Sequence, residues 1–288
     1  MGGLMDGKVC MVTGATSGIG QVTALELAKM GAIVVAIGRN PQKGIKTVEI
    51  IKRASASETV AFLEADLSSQ QSIRELVQTF TRQYDHLHVL VNNAGAVYGK
   101  RETSVDGIEM TFALDHLGPF LLTELLLPLL KRSAPARIVT VSSRVHAIGH
   151  INFDDLQGEK RYASFRAYGQ AKLANILFTY ELARRLQGTG VTANTVSPGI
   201  VATNFGISNG GPIALFSRAT HFIARTPEQG AETSIYLASS PLVEGVSGQY
   251  FFDRTEKKSS KESYDTAIAR RLWEVSAQMT NSTMPSTV

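Results

Sequence analysis

With 288 residues, 43% of them hydrophobic, the chain is long enough to bury a large core without covalent staples. Its single cysteine, Cys10, excludes an internal disulfide framework and a multi-cysteine metal site, and in the run Val9-Cys10-Met11-Val12 it reads as a small core residue. The formal net charge of +4 is modest, and the densest basic stretch (Lys257, Lys258, Lys261) is broken by serine and glutamate without aromatic interleaving, so a solvated surface is expected there and no nucleic-acid partner.

The first six residues lack the charged and apolar regions of a signal peptide, and Asp6 stands where a myristoylation signal wants Ser or Thr. Further on, the apolar stretch 120–130 is short and interrupted by Glu124 and Pro128, so no membrane span is expected and a cytoplasmic location is the default. Short apolar runs predict strands at residues 9–13, 33–37, 60–64, 87–91, 137–142, 191–196 and 249–252. Amphipathic segments between them predict helices at 20–30, 41–53, 72–84, 105–131, 165–187 and 227–239, the last opened by the capping sequence Thr226-Pro227-Glu228. A final helix is expected at 267–279, with a frayed tail from Asn281; the sequon Asn281-Ser282-Thr283 is read as chance. Strand–helix alternation at this spacing implies a doubly wound parallel sheet of about seven strands, covered by helices on both faces. One Rossmann-type domain is expected, with a core of about 7–253 and a C-terminal extension over 254–288.

The first strand runs into Thr13-Gly14-Ala15-Thr16-Ser17-Gly18-Ile19-Gly20, where a helix begins at once. A pyrophosphate needs free backbone N–H groups at the positive end of a helix dipole, and glycines allow its close approach. The spacing is G-x-x-x-G-x-G, which differs from the general dinucleotide fingerprint, so a plain tight turn stays open on these residues alone. The second strand ends Ile37-Gly38-Arg39-Asn40 with no carboxylate nearby. A carboxylate there would accept the ribose hydroxyls of NAD, whereas an arginine pairs with a 2′-phosphate, so Arg39 favours NADP(H) over simple solvation of a strand end.

On the helix 165–187, Tyr168 and Lys172 are four apart and share a face, with Asn175 and Thr179 extending the polar stripe. A free tyrosine has a pKa of about 10, and a neighbouring ammonium stabilises the phenolate and brings it nearer the working range. Strand 137–142 runs out at Ser142-Ser143, and strand 87–91 at Asn92-Asn93-Ala94-Gly95; in a parallel sheet, ligands sit beyond such strand ends. Each also reads as a plain loop or helix start.

Taken in order, these pieces resemble the short-chain dehydrogenase/reductase family over roughly Gly7 to Phe252, through Thr13 to Gly20, Asp66-Leu67, Asn92 to Gly95, Ser143, Tyr168-x-x-x-Lys172 and Pro198-Gly199. The resemblance implies that Tyr168 is the acid–base residue, that Lys172 lowers its pKa and holds the nicotinamide ribose, and that Ser143 orients the carbonyl, with Ser142 as the weaker choice. It also implies cofactor contacts at Gly14, Thr16, Ser17, Gly18, Ile19, Gly20, Arg39 and Asn40. Asp66 and Leu67 would flank the adenine, Asn93, Ala94 and Gly95 would pack along the cofactor, and Pro198, Gly199, Val201 and Thr203 would meet the nicotinamide end. One position departs: where the family usually has an asparagine whose backbone holds a water linked to the lysine, this chain has Asp115, whose charge favours the ammonium and alters the tyrosine's pH range.

The long insertion between Ser143 and Tyr168, the run Lys172-Leu173-Ala174-Asn175 and the terminal Arg271-Leu272-Trp273 are similar to the retinol-dehydrogenase-like reductases. The expected activity is therefore NADP(H)-dependent hydride transfer that reduces apolar ketones or aldehydes. An NAD-linked alcohol dehydrogenase and a non-catalytic cofactor-binding regulator are the alternatives. A lid is expected over residues 204–225, glycine-rich at Gly206, Gly210 and Gly211 and apolar at Ile213, Leu215, Phe216, Phe222 and Ile223. His116, His146, His150 and His221 lack metal-ligand spacing and are expected at the surface or in hydrogen bonds, with no metal. The family suggests a homo-dimer or homo-tetramer through the long helices, unless the insertion or the C-terminal helix blocks one interface.

Overall fold

The computed structural model describes residues 3–201 and 224–282. The expected βα alternation is present. Strands β1 (Val9–Thr13), β2 (Ile33–Gly38), β3 (Val60–Glu64), β4 (Val89–Asn92), β5 (Ala136–Val141), β6 (Val191–Val196) and β7 (Tyr250–Phe252) are all joined by parallel pairings. Their continuous Val/Ile/Leu/Ala runs suit strands buried on both faces. Helices α1 (Gly18–Lys29), α2 (Pro41–Ser55), α3 (Gln70–Gln83), α4 (Met110–Arg132), α5 (Ser164–Arg185), α6 (Pro227–Ser239) and α7 (Thr266–Met279) cover the sheet.

The sheet order β3-β2-β1-β4-β5-β6-β7 reverses direction between β1 and β4. The crevice that ligands use in such folds opens at that switch, beyond the carboxyl ends of the strands. The eighth strand, β8 (Thr255–Glu256), pairs antiparallel with β7 and was not expected. Its turn residues Asp253 and Arg254 both have positive φ, at 52° and 55°. That is the backbone a two-residue hairpin needs, here without the Asn-Gly that usually announces it.

One expectation about α4 is corrected. Residues 105–109 are not helical: Gly107 turns the chain at φ +74°, and the Glu109 carboxylate caps the helix by accepting the N–H groups of Thr111 and Phe112 at 2.9 and 2.7 Å. The apolar stretch 120–130 also belongs to a longer helix, Met110–Arg132, which by length and composition is able to cross a membrane. In this fold 83% of its most apolar window is buried, so it serves as the core helix under the sheet. Within it, Ala113–Leu117 forms a π-helical turn, a local widening often found at functional sites.

Helix α7 lies across the face formed by α4 and α5. Trp273 meets Phe120 edge-on at 5.1 Å and stacks on Phe178 at 5.7 Å, while the Arg185 guanidinium sits 4.2 Å over its ring. Gln70 and Arg74 of α3 donate to the carbonyls of Met279 and Thr280 at 2.8 and 2.7 Å, which ties down the end of α7. Cys10 is fully buried in the core, and burial pushes its thiol up to about 12.

Candidate active site

The phosphate turn is built by backbone. Gly14 and Gly18 adopt φ +64° and +56°, which side chains rarely tolerate. Ser17 is the N-cap of α1 and makes no side-chain cap, so the first turn's N–H groups face the crevice without a capping oxygen. A Cβ on Gly20 would collide with the Asn93 amide and the Gly14 carbonyl, and one on Gly14 would lie 2.9 Å from the Cα of Ala94. Thr13 locks this turn to the next strand end. Its hydroxyl accepts from the N–H groups of Asn93 and Ala94 at 2.9 and 3.0 Å and donates to the Val91 carbonyl at 3.2 Å. Asn93 returns a hydrogen bond to the Thr13 carbonyl at 2.8 Å. A helix start without a capping oxygen, on a turn that Gly14 and Gly20 hold tight against Asn93 and Ala94, fits a dinucleotide's pyrophosphate.

Around it, Arg39 is exposed beyond β2 with its guanidinium near the Tyr98 hydroxyl, while Asn40 caps α2 by accepting the Lys43 N–H at 2.8 Å. Thr16 packs against Gly38, where a Cβ would stand 2.7 Å from its methyl. Asp66 accepts from the N–H and hydroxyl of Ser68 at 2.9 and 2.7 Å, and Leu67 is buried beside Gly118. On the far side, Gly199 takes φ +84° after Pro198, and Val201 packs near Ile19 and Gly230. Thr203, His221 and nearly all of the expected lid lie outside the described residues.

The second half of the crevice is made of side chains. Tyr168 and Lys172 lie on α5, with the ammonium 5.4 Å from the phenol ring centroid. Ser143, two residues past the end of β5, lies near the Tyr168 hydroxyl. Its neighbour Ser142 is buried and donates to the Lys172 carbonyl at 2.7 Å, so its hydroxyl is committed to tying the strand end to α5. Asp115, fully buried in the π-turn, pairs with Lys172 at 3.0 Å and accepts the Ala96 N–H at 2.8 Å. Gly95 packs tightly beside this pair: a Cβ there would stand 3.0 Å from the Asp115 carboxylate and 3.1 Å from the ammonium. The contact to lysine thus runs through the Asp115 side chain.

Electrostatics follow from burial and this pairing. Burial works against the Lys172 ammonium, but the charges of Asp115 and Tyr168 outweigh it and hold its pKa above the usual lysine value. Burial raises the Asp115 carboxyl, against the pull of Lys172 and the Ala96 N–H. Burial also raises Tyr168; Lys172 lowers it as expected from the sequence, Asp115 raises it further, and the Ser143 hydroxyl lowers it. The net direction for Tyr168 is upward, which the sequence pattern alone did not indicate.

Behind the pair, hydrogen bonds join residues that the sequence names without their partners. His116, next to Asp115, is fully buried, with Nδ1 3.3 Å from the Asn175 side-chain oxygen and Nε2 2.9 Å from the Ser276 hydroxyl. Asn175 and Lys172 both donate to the Val141 carbonyl at 3.4 Å. His146 lies 2.6 Å from the Ser143 carbonyl and accepts the Ser260 N–H at 3.1 Å. His150 pairs with Glu262 at 3.0 Å. Among the described residues no cluster of three or more metal-ligating side chains occurs.

Residues 8–210 match the model of the short chain dehydrogenase family. Retinol dehydrogenase 14 of Homo sapiens is 45% identical over 293 residues, covering 96% of this chain and 87% of that protein. An uncharacterized protein from Mycobacterium paratuberculosis superposes with a TM-score of 0.79 at 32% identity, over 98% of this chain and 96% of that one. The Pseudomonas aeruginosa RhlG/NADP active-site complex superposes with a TM-score of 0.68 at 28% identity, over 86% and 94%. With the phosphate turn, the Tyr168–Lys172 pair and Ser143 gathered on one sheet edge, the chain belongs to the short-chain dehydrogenase/reductase family of nicotinamide-dependent oxidoreductases, on its retinol-dehydrogenase-like side.

Proposed function

We propose that the chain is an NADP(H)-dependent carbonyl reductase acting on apolar ketones or aldehydes. The observation that carries this reading is the cluster of half-buried Ser143 and Tyr168 with buried Lys172, closed from behind by buried Asp115. The bound cofactor supplies the hydride; the protein supplies placement and the proton. In the proposed assignment Gly14, Thr16, Ser17, Gly18, Ile19 and Gly20 hold the pyrophosphate, and Arg39 and Asn40 frame the adenosine end with Asp66 and Leu67. Asn93, Ala94 and Gly95 line the middle, and Pro198, Gly199, Val201 and Thr203 frame the nicotinamide end.

Ser143 and the Tyr168 hydroxyl together bind the substrate's carbonyl oxygen, and Tyr168 gives that oxygen its proton as the carbon is reduced. The ammonium of Lys172 stabilises the phenolate left behind, and Asp115 keeps that ammonium charged and in place. A tyrosine held above its usual pKa is protonated at neutral pH, the state that reduction uses. Arg39 supports the 2′-phosphate form of the cofactor, since an exposed guanidinium at the end of β2 offers a bidentate partner to phosphate. An apolar substrate is supported by Ile148, five residues past Ser143, by Phe165, one helical turn before Tyr168, and by Ile200, all exposed at this edge. The name of the retinol dehydrogenase relative, which is that of an enzyme for an apolar alcohol, supports an apolar alcohol/carbonyl pair.

The test compares NADPH and NADH consumption with a panel of apolar ketones and aldehydes, using the wild type and Tyr168→Phe. Expected is carbonyl-dependent NADPH oxidation that drops by roughly 10²–10⁴-fold in the variant while NADPH binding persists. Equal activity of the two proteins would sink the assignment of Tyr168, and preference for NADH would sink that of Arg39.

A further inference from the structure

Helix α7 lies beyond the part of the chain that matches the family model, yet it reaches the rear of the site by hydrogen bonds. In α4 the π-turn places two consecutive residues, Asp115 and His116, in full burial. Asp115 goes to Lys172, and His116 goes to Asn175 and Ser276. His116 lies in a wall of aromatic rings, 5.0 Å from Phe112 and 6.3 Å from Phe120 and Phe178. Burial pushes its pKa down to about 4 against the opposing contact of Asn175, so the ring is neutral at physiological pH.

A neutral imidazole has one donor and one acceptor nitrogen, and the network assigns them. The Asn175 amide donates to the Val141 carbonyl, so its oxygen faces His116 and accepts from Nδ1–H. Nε2 is then the acceptor, and the Ser276 hydroxyl donates to it. All three side chains are at most 1% exposed, so each lost bond leaves a buried polar group without a partner.

The chain Ser276, His116, Asn175 ends on the same carbonyl that Lys172 touches. Val141 is the last residue of β5, two positions before Ser143, and its oxygen receives both Asn175 and the ammonium. We propose that His116 is a positioning residue: by orienting the Asn175 amide onto the Val141 carbonyl, and being oriented in turn by Ser276, it divides the Lys172 ammonium between that carbonyl and the Asp115–Tyr168 side, and so makes α7 part of the catalytic geometry. Without the Asn175 donor, the Val141 carbonyl draws the ammonium toward itself and away from Tyr168. This inference rests on the assignment of Tyr168 and Lys172 above.

The test uses Ser276→Ala, which removes one hydrogen bond distant from the substrate, His116→Phe, which removes both, and His116→Asn, which keeps a donor in the Nδ1 position. Two readouts are taken. The first is the ultraviolet titration of the Tyr168 phenol, obtained as each protein's difference from its own Tyr168→Phe version, which needs no turnover. Among the described residues the charged and titratable groups facing Tyr168 are Lys172 from α5 and Asp115 from α4, with the Ser143 hydroxyl from beyond the end of β5 and Glu109 behind Asp115. The second is kcat with NADPH.

Expected is a Tyr168 titration shifted to higher pH in Ser276→Ala, further in His116→Phe, and restored toward the wild type in His116→Asn. kcat should fall roughly tenfold in His116→Phe, inside the ~10²-fold that a misplacement of about 1 Å costs. If His116→Phe does not fold, Ser276→Ala decides. Unchanged titration in the folded variants overturns the proposal. A wild type without turnover overturns the reductase reading instead and leaves the titration to judge His116.

Discussion

The two halves of the crevice are made of different material. The phosphate half is backbone: glycines in conformations that side chains reject, an uncapped helix start and a Thr13 hydroxyl stitching neighbouring strand ends. The catalytic half is a set of buried and half-buried side chains drawn from distant segments, with the Asp115–Lys172 ion pair at its centre and a hydrogen bond between residues 160 positions apart at its rear. Backbone cradles have no charge to lose and no room to spare. Buried charge pairs have the opposite character: they tolerate shape changes that keep the charges and fail when one charge is removed. The first half should therefore be sensitive to volume and indifferent to pH, and the second the reverse.

The largest effect expected from this contrast is that of Lys172→Met. It leaves the Asp115 carboxylate buried without its partner, which costs roughly 3–5 kcal/mol in comparable pairs. Urea unfolding at neutral pH measures it. The sign of the pH dependence follows from Asp115, whose carboxyl is already raised by burial. Ionised Asp115 is the costly state, so the deficit should shrink as pH falls and the carboxyl takes up a proton. Lys172→Met combined with Asp115→Asn should be more stable than Lys172→Met alone. A deficit that is the same at every pH would mean that the pair is not held together by charge.

Gly20→Ala is the matching test of the backbone half. The added methyl meets the Asn93 amide and the Gly14 carbonyl, so one of two strand ends must shift, at a cost of about 1–3 kcal/mol. The KM for NADPH should rise, and neither effect should change with pH across the neutral range. A pH-dependent defect here would erase the distinction between the halves.

The same contrast explains what could be read in advance. The phosphate turn, the strands and most helix spans are local: glycine positions, apolar runs and the cap at Thr226 lie within a few residues of the structure they dictate. Tyr168 and Lys172 were legible because four residues make one helical turn. Asp115 was noticed as a departure, but its direct pairing with Lys172 depends on the π-turn, and a one-residue widening leaves no signature in a 3.6-residue pattern. His116 and Asn175 meet only because α4, α5 and α7 pack together, and Ser276 stands on a helix whose docking is decided by Trp273. Thr13 likewise looked like the end of a strand, whereas its hydroxyl serves three backbone groups of the β4 end.

A milder effect is expected of Asp115→Asn, which keeps an acceptor for the Ala96 N–H and removes the charge. Asp115 contributes to raising the Tyr168 pKa, so its neutralisation should lower that pKa. For reduction, the protonated phenol is the active form. In the wild type kcat/KM should be flat through neutrality and decline only at alkaline pH, and in the variant the decline should begin at lower pH. A decline displaced to higher pH would show that Asp115 acts on Tyr168 mainly by holding Lys172 in place.

The smallest effect is expected of Arg39→Ala, and it probes the seam between the halves. Arg39 follows β2, but its guanidinium is met by the hydroxyl of Tyr98 in the segment after Gly95, the segment whose Ala96 N–H binds Asp115. An exposed arginine is screened by salt, so its bond to a phosphate is worth less than a buried pair. The KM for NADPH should rise about tenfold at low ionic strength and less at high ionic strength, while the KM for NADH stays unchanged. Equal losses for both cofactors would mean that Arg39 supports the Tyr98 segment and does not read the 2′-phosphate. Repeating the measurement in Tyr98→Phe separates the two roles: that change frees the guanidinium without removing it, so NADPH binding should be kept or tightened if phosphate is its partner, and weakened if the Tyr98 contact is what matters.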